Sequence, residues 1–337
     1  MGCETIFDER TKHELVSSLA PGYRRISANL VISVERIKEY LEVEQEAPPI
    51  IPEKRPPQAW PEHGAVSFRN YTTRYRPDLD PVLRGVTFDL KPLEKVGIVG
   101  RTGAGKSSLA LALFRCLEAE EGAIYIDEIN VGEIGLNDLR QNITMVPQDP
   151  TLFTGTIRSN LDPFGIYTDK EIFATLRRVQ LIPETLDTSI PTSINPTSTA
   201  GNRNIFLDLS SAVAESGNNL SQGQKQLLCL ARALLKTPKV ILFDEATASI
   251  DYLTDSKIQA TIRQLESTTI TIAHRLNTVI YYDKVLVLDQ GRVKEFAHPY
   301  ELLQMEKGLF RAMCEQSGEL ELLEGMAKEA WENRLTV

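Results

Sequence analysis

The chain has few cysteines, and their spacing forms no recognisable motif. Its 337 residues include four cysteines and no C-x-x-C pair. Zinc sites and disulfide frameworks depend on close, repeated cysteine spacings, so this scatter argues against both. We expect reduced, mostly buried thiols in a cytosolic setting. The four positions are Cys3, Cys116, Cys229 and Cys314.

Long apolar runs and an excess of positive charge are also missing. No stretch approaches the roughly 20 apolar residues that a membrane-spanning helix needs, and the first residues show no signal-peptide pattern. With 37 Lys and Arg against 46 Asp and Glu, the formal net charge is -9. An acidic surface repels phosphodiester backbones, which argues against a nucleic-acid partner but not against small anions at a local site. The 42% hydrophobic content suits a sizeable core.

The composition predicts four successive parts of the chain. Apolar residues recur at helical spacing over residues 27–43, which predicts an amphipathic helix within a helical segment at 1–46. Proline-rich residues 47–63 are typical of an extended, semi-rigid linker. Strand-like alternation begins at residue 64 and marks a core domain predicted to end at 317. A helical tail is predicted for residues 318–337.

Within the core domain, residues 65–75 and 82–90 alternate as in an antiparallel sheet. Later apolar strand patterns alternate with helical ones, which is typical of parallel strands joined by crossover helices. The predicted fold class is therefore α/β, with a mostly parallel core sheet. Residues 188–204, rich in Ser, Thr, Asn and Pro, are predicted to be a low-complexity insertion. The later strand patterns lie at 123–126, 143–146, 240–243, 269–272 and 284–288.

Residues 100–107 read Gly-Arg-Thr-Gly-Ala-Gly-Lys-Ser and fit the phosphate-loop pattern G-x-x-x-x-G-K-[ST]. Glycines let successive backbone N–H groups surround an anion, and the helix start that follows adds a favourable dipole. Lys106 is expected to pair with the β and γ phosphates of a nucleotide, and Ser107 to bind Mg²⁺. The pattern is too long for a chance glycine-rich turn to be a good explanation.

Two carboxylates follow the apolar pattern at 240–243. Doubly wound sheets hold their ligands at this end of the strands. Asp244 is expected to hold Mg²⁺ through water, and Glu245 to align and deprotonate an attacking water. Solvated carboxylates at a strand end are the alternative, and the neighbouring phosphate loop disfavours it.

Residues 218–224 read Asn-Asn-Leu-Ser-Gln-Gly-Gln and open a helical pattern, whose free N–H groups favour a second anion. Together with the phosphate loop, this segment resembles the signature of ATP-binding cassette (ABC) ATPases, with consensus Leu-Ser-Gly-Gly-Gln. Gln222 replaces the first glycine of that signature. Ser221 and Gly223, the usual γ-phosphate contacts in the family, are kept.

The resemblance covers most of residues 64–317. It implies a phosphate-loop ABC ATPase fold with an antiparallel β subdomain and a helical subdomain. The implied cofactors are ATP and Mg²⁺. Tyr75 matches the aromatic that stacks on adenine, with Tyr71 as a nearby competitor. Residues 248–251 resemble the loop that crosses the interface between two cassettes.

Each role is carried over by motif. The implied catalytic residues are Glu245, His274 and Gln148. The implied Mg²⁺ ligands are Ser107, Gln148 and Asp244. The implied nucleotide-binding residues are Tyr75, Gly100, Thr102, Gly103, Ala104, Gly105, Lys106, Ser107, Ser108, Ser221, Gly223 and Gln224.

Finer motifs resemble the second nucleotide-binding domain of C-subfamily transporters, the multidrug-resistance-associated proteins and fungal vacuolar conjugate pumps. This implies an ATPase that powers export of organic anions, conjugates or drugs from the cytosolic face of a vacuolar or plasma membrane. The implied partners are a first cassette and transmembrane domains, with membrane association through those domains only. The chain is then expected to be the C-terminal portion of a larger transporter, or a gene fragment. The motifs lie at 33–40, 70–76, 101–108, 160–164 and 229–234.

Three alternatives stay open. A soluble ABC protein acting in translation or DNA repair would carry twin cassettes or a long coiled coil, whereas this sequence has one cassette and no sustained heptads. A kinase or GTPase shares the phosphate loop but requires neither the Ser221 segment nor His274. A fragment that binds ATP without turnover stays open because the sequence contains no partner cassette.

Overall fold

The computed structural model describes residues 21–43, 45–183, 204–244, 252–273 and 275–335. The predictions for Glu245, His274 and the loop at 248–251 lie outside the described residues, as does the insertion predicted at 188–204 apart from its last residue. That residue, Asn204, begins a short 3-10 helix, and its side chain donates to the carbonyl of Leu181 at 2.7 Å. The chain divides into two units, Met1–Pro48 and Pro49–Val337.

The first unit contains one described helix, α1 (Pro21–Leu41), which begins earlier than the predicted range 27–43. The predicted apolar stripe is present, and its side chains at Leu30, Val34, Ile37 and Leu41 are each at least 60% exposed. Within the described ranges, no helix is both long and apolar enough to cross a membrane.

The second unit contains strands and helices in alternation. The strands are β1 (Val66–Thr73), β2 (Leu83–Leu90), β3 (Lys95–Val99), β4 (Glu121–Ile126), β5 (Ile129–Asn130), β6 (Ile143–Val146), β7 (Gly155–Thr156), β8 (Ala212–Val213), β9 (Val240–Asp244), β10 (Thr268–Ile272), β11 (Lys284–Asp289) and β12 (Arg292–Ala297). The helices are α2 (Lys106–Leu113), α3 (Leu136–Asn142), α4 (Ile157–Leu161), α5 (Asp169–Arg178), α6 (Gln222–Leu235), α7 (Tyr252–Arg263), α8 (Leu276–Val279), α9 (Pro299–Leu303), α10 (Leu309–Ser317) and α11 (Leu320–Leu335).

The central sheet has the strand order β12-β11-β3-β10-β9-β6. Its pairs from β11 through β6 are parallel, and β12 joins the edge as an antiparallel partner of β11. Successive residues of one strand enter opposite hydrophobic clusters, as in Ile241 and Leu242 of β9. Burial on both faces explains why β9 reads as a continuous apolar run up to Asp244.

The antiparallel sheet has the order β2-β1-β4-β5. The sequence placed residues 123–126 among the strands that alternate with helices, but β4 pairs antiparallel with β1, with Val66 opposite Ile126. Helix α2 lies between the two sheets, and its Leu109 and Leu113 are fully buried in the shared cluster. An apolar strand pattern predicts a strand but not its neighbours, since strands of either sheet bury apolar side chains.

A helical group formed by α4, α5 and α6 packs beside the central sheet. The start of helix α5 is fixed by a capping box between Thr168 and Glu171. Its buried residues Ile172 and Leu176 share one cluster with α6. This group matches the helical subdomain expected from the ABC resemblance.

From residue 49 onward the proline-rich segment belongs to the second unit and packs within it, although its composition predicted an extended, semi-rigid linker. The carbonyl of Pro49 accepts from the Asn137 N–H at 2.9 Å. Trp60 is 5% exposed, and its indole N–H donates to the carbonyl of Ile126 at 2.9 Å. One buried aromatic residue therefore anchors the segment to β4. The boundaries predicted at 46 and 63 stay predictions.

The tail predicted at 318–337 is helical as α11 and packs through Leu323 and Ala327, both fully buried. Helix α10 precedes it, and the carboxylate of Glu295 accepts the N–H groups of Leu309 and Phe310 at the start of α10. Carboxylates at a helix N-terminus satisfy free N–H groups and favour the helix dipole. The described part of the tail is thus packed through α11, and the helix that precedes it is capped by Glu295.

Two of the three described cysteines are buried, as the composition predicted. Cys229 and Cys314 lie in the core, and Cys116 is exposed. Burial raises the pKa of the Cys229 thiol, and it raises the pKa of Cys314 to about 12 with a smaller contribution from Glu315. Thiols with raised pKa values are poor nucleophiles, which supports a packing role for both.

Asp127 fastens the end of the proline-rich segment to the turn after β4. Its carboxylate accepts the N–H groups of His63, Gly64 and Ala65 at 2.8, 3.0 and 2.7 Å. Partial burial alone would raise the pKa of this carboxyl, but the N–H donors, Gly64 foremost, outweigh it and hold the pKa below its ordinary value. The charged form is therefore the one that stabilises the fold.

We expect Asp127→Asn to lower the free energy of unfolding by about 1 kcal/mol at pH 7, because the amide loses the charge and one acceptor. A pKa that is lowered in the folded state gives stability above the unfolded-state pKa, and this stability is lost as the pH falls through the folded-state pKa. Urea unfolding should therefore show the wild-type advantage shrinking below about pH 4. Glu121→Gln, an exposed carboxylate on the same sheet, is the control. An advantage that stays constant down to about pH 2.5 would contradict this account.

Candidate functional site

The phosphate loop connects β3 to α2. Its Gly105 has φ 105°, a left-handed conformation that other residues rarely adopt, and it directly precedes Lys106, the first residue of α2. Lys106 is 7% exposed, and its ammonium donates to the carbonyls of Gly100 at 2.8 Å and Arg101 at 3.3 Å. The ammonium thus lies at the centre of the loop, and the helix start behind it faces the same space.

The ends of neighbouring strands bring further predicted site residues to the edge of the sheet where the phosphate loop begins. In the parallel register, Ile98 of β3 stands opposite Ile272 of β10, and Ile272 stands opposite Asp244 of β9. Strand β6 ends level with β9, since Val146 pairs with Phe243, and Gln148 follows two residues later. Asp244, Gln148 and the phosphate loop therefore leave the sheet at one edge, where open α/β sheets bind ligands.

This edge offers oxygen donors of three kinds: the Ser107 hydroxyl, the Asp244 carboxylate and the Gln148 amide. Mg²⁺ prefers oxygen ligands and binds through few protein groups, with substrate phosphates and water completing its shell. The donor set is therefore chemically suited to a magnesium ion held beside nucleotide phosphates.

The two candidate adenine aromatics differ in exposure. Tyr71 is 3% exposed, and its hydroxyl donates to the carbonyl of Leu117 at 2.8 Å. Burial, with a smaller contribution from the Glu118 charge, raises the pKa of Tyr71. Tyr75 is 51% exposed, and its hydroxyl lies 2.9 Å from the Ser108 hydroxyl on the first turn of α2. Only Tyr75 of this pair presents a ring to solvent beside the phosphate loop.

The Ser221 segment forms a capping box at the start of α6. The Ser221 hydroxyl accepts from the Gln224 N–H at 3.2 Å, and the Gln224 side chain accepts from the Ser221 N–H at 2.9 Å. Gln222 is the first helical residue and has no positive φ. Its replacement of the family's glycine therefore leaves the backbone unstrained.

Gly223 lies against the start of α7. A Cβ at this position would come within 2.9 Å of Thr254 Cγ2, closer than real side chains approach. The next turn of α6 contacts the Gln148 region, because the buried Gln226 side chain donates to the carbonyl of Pro147 at 3.1 Å. The signature helix is thus packed between α7 and the segment that carries Gln148.

An open cleft of about 670 Å³ lies beside the phosphate loop. Among the predicted residues it is lined by Gly100, Thr102 and Lys106. The predicted Mg²⁺ ligands, the predicted adenine aromatic and the signature residues do not line it, namely Ser107, Gln148, Asp244, Tyr75, Ser221, Gly223 and Gln224. Sequence reasoning missed the rest of the lining, which consists of Arg101, Ala273, Arg275, Leu276, Asn277, Met313, Gln316, Ser317 and Glu319. Arg101 lay within the motif but carried no role. Four of these residues belong to α10 and the turn after it: Met313, Gln316, Ser317 and Glu319. The helical pattern of that segment predicts packing alone.

Comparison with known proteins agrees with this geometry. Residues 83–248 match the profile of the family described as "ABC transporter". The chain is 65% identical over 309 residues to "ABC transporter 7" of Pyricularia oryzae, covering 89% of this chain and 18% of that protein. It is 51% identical over 290 residues to "ATP-binding cassette sub-family C member 3" of Rattus norvegicus, covering 86% and 18%.

A solved structure described as a bacterial Atm1-family ABC exporter with ATP bound superposes with a TM-score of 0.71. Its sequence is 31% identical, and the match covers 88% of this chain and 48% of that one. The chain spans about a fifth of the length of the curated relatives it matches, for which 18% is typical. By its family profile, its relatives and its fold, the chain belongs to the ABC transporter family and is an ATP-binding cassette of the C-subfamily type.

Proposed function

We propose that this cassette hydrolyses ATP to power export of organic anions, conjugates or drugs, as the second nucleotide-binding domain of a larger transporter. The observation that carries the proposal is the meeting of the Lys106 loop, Asp244 and Gln148 at one edge of the parallel sheet. A phosphate-binding loop beside a carboxylate and an amide is the arrangement that MgATP hydrolysis requires. The alternatives are an ATP-binding fragment without turnover and a soluble ABC ATPase unconnected with transport.

Roles follow from the chemistry of each group. Lys106 pairs with the β and γ phosphates, and Ser107, Asp244 and Gln148 hold Mg²⁺, which draws charge from the phosphates when bound. Glu245 directly follows Asp244 in the sequence, and we assign its carboxylate, on the family motif, to taking a proton from the attacking water. His274 follows Ala273, whose N–H donates to the Ile98 carbonyl at 3.1 Å. We assign His274 to the γ phosphate on the family motif.

A second cassette completes the site in this proposal. The Ser221 capping box presents its helix start outside the cleft that Lys106 lines. A helix N-terminus can bind an anion. The N-terminus of α6 takes no part in the phosphate loop of its own chain, so it can bind a phosphate of another nucleotide. We therefore assign Ser221, Gly223 and Gln224 to the ATP held by a partner cassette, and the partner's equivalent loop to the ATP held here.

The remaining partners are transmembrane domains, since the named relatives are transporters of about five times this length. The cassette would work at the cytosolic face of a vacuolar or plasma membrane and attach to it through those domains. Its acidic net charge of -9 offers no general attraction to anionic lipid.

Tyr75 tests the nucleotide-binding part of the proposal. Stacking of a base on an aromatic ring is worth about 1–3 kcal/mol and tolerates different bases. We expect Tyr75→Ala to weaken ATP and GTP binding alike, by roughly fivefold to a hundredfold in calorimetry. Tyr75→Phe keeps the ring and should bind as the wild type does. If Tyr75→Ala binds ATP with unchanged affinity, the adenine lies elsewhere.

Glu245 tests catalysis. Glu245→Gln keeps the size of the side chain and removes the base, so single-turnover hydrolysis should fall by about 10²- to 10⁴-fold while ATP stays bound. Glu266→Gln makes the same chemical change at an exposed position after α7 and should hydrolyse ATP at the wild-type rate. Lys106→Ala should instead lose ATP affinity by about tenfold or more.

The concentration dependence of the rate tests the shared site. If two cassettes complete each other's sites, dilution of the wild-type protein should lower its specific activity, and Glu245→Gln should prolong the dimer seen by gel filtration with ATP. Hydrolysis by Glu245→Gln at the wild-type rate would remove Glu245 from catalysis. A specific activity that is unchanged by dilution, for a protein that remains monomeric, would contradict the shared site.

A further inference from the structure

The C-terminal part of the chain supplies part of the lining of the cleft beside the phosphate loop. Gln316, Ser317 and Glu319 line the cleft together with Arg101, Lys106 and Arg275. Among the described lining residues, three side chains are cationic and one, Glu319, is a carboxylate. Unlike Asp244, Glu319 is not among the predicted Mg²⁺ ligands, so its charge repels a polyphosphate ligand without a metal ion between them.

The backbone at Glu319 is fixed from both sides. Helix α10 ends at Ser317, and its C-cap residue Gly318 has φ 75° and donates its N–H to the Glu315 carbonyl at 3.1 Å. The carbonyl of Glu319 accepts from the Leu323 N–H at 2.9 Å in the first turn of α11. Leu323 and Ala327 are fully buried, and Gln304 donates to the Glu324 carboxylate at 2.9 Å. The position of this residue beside the cleft is thus a property of the fold.

Within the described residues, the Glu319 carboxylate forms no ion pair or side-chain hydrogen bond, and the residue is exposed. Arg275, one of the cations that line the cleft, lies 3.7 Å from the Asp255 carboxylate. The negative charge at 319 is therefore available to act on whatever anion enters the cleft.

We propose that Glu319 is a charge-selective residue of the cleft that disfavours highly charged nucleotide and so favours MgATP over metal-free ATP. The inference rests on ATP binding at the Lys106 loop, as proposed above. Repulsion by one carboxylate grows with the charge of the ligand, and metal-free ATP carries about two more negative charges than MgATP. The cleft accepts the metal complex at little cost and penalises the bare polyphosphate.

The expected effect is that of an exposed charge acting through solvent. Glu319 is exposed and shares an open cleft with Lys106, so we take the separation from the phosphates to be about 10 Å, close to the Debye length at physiological salt. At that separation in a partly solvated site, removing the charge should strengthen metal-free ATP binding by about fivefold to tenfold, and MgATP binding by about twofold to threefold.

Glu319 also stands at the N-terminal end of α11, where a carboxylate favours the helix dipole. That role predicts a different result. Loss of the charge would lower stability without nucleotide and leave nucleotide affinity unchanged. The two roles are therefore separated by measuring affinity and unfolding in the same variants.

The experiment compares the wild type, Glu319→Gln and Glu321→Gln by calorimetry, with MgATP and with ATP in EDTA, at low and high salt. Glu321 is exposed, lies two residues further on and is absent from the cleft, so its variant carries the same change in net charge. Glu319→Gln should bind both ligands more tightly, metal-free ATP by the larger factor, and high salt should reduce the gain. Glu321→Gln should bind both as the wild type does.

Three outcomes overturn the proposal. Glu319→Gln with wild-type affinity for both ligands leaves the proposed function intact and removes the charge-selective role. An equal gain for both ligands that salt does not reduce indicates a change of shape. A folded wild-type protein that binds no ATP refutes the proposed function, and the role of Glu319 with it.

Discussion

The parallel register of β3, β10 and β9 is the constraint on which the site depends. Because Ile98, Ile272 and Asp244 stand side by side, the segments that follow each strand begin at one level. Shifting any strand by one residue would exchange its two buried faces and is opposed by both hydrophobic clusters. Apolar burial on the two sides of the sheet therefore holds the polar groups at its edge in place.

Two buried polar side chains extend this order into the loops. Burial of an ammonium is costly unless hydrogen bonds compensate it, and Lys106 meets that cost through the carbonyls of Gly100 and Arg101. The loop is thereby held in shape around the group that a phosphate would contact. Gln226 does the same for the segment before Gln148, through the carbonyl of Pro147. The site is consequently stiff at its backbone, which reduces the ordering needed when a ligand binds.

The sequence predicted the parts of the site that lie within continuous motifs. The phosphate loop, the strand that ends at Asp244 and the capped helix at Ser221 each have a local pattern, because strand burial and helix capping depend on neighbouring residues. The same locality explains the errors. Trp60 anchors the proline-rich segment through a residue far along the chain, and Glu319 reaches the cleft through the packing of α10 and α11. The sequence of β12 shows only weak alternation of apolar and polar residues, so this strand was not predicted. It is held in the sheet by its pairing with β11. Contacts of this kind leave no periodic signal.

The contact between Gly223 and Thr254 has a consequence for how the family's sequences vary. A side chain at 223 fits only if the one at 254 becomes smaller or α7 moves away from α6. The second route would disturb α7, which follows the strand that ends at Asp244, so the first should be the usual one among functional relatives. Positions 223 and 254 are then expected to co-vary, with a larger residue at one accompanied by a smaller residue at the other. Such co-variation among related sequences would reflect the close packing of α6 against α7.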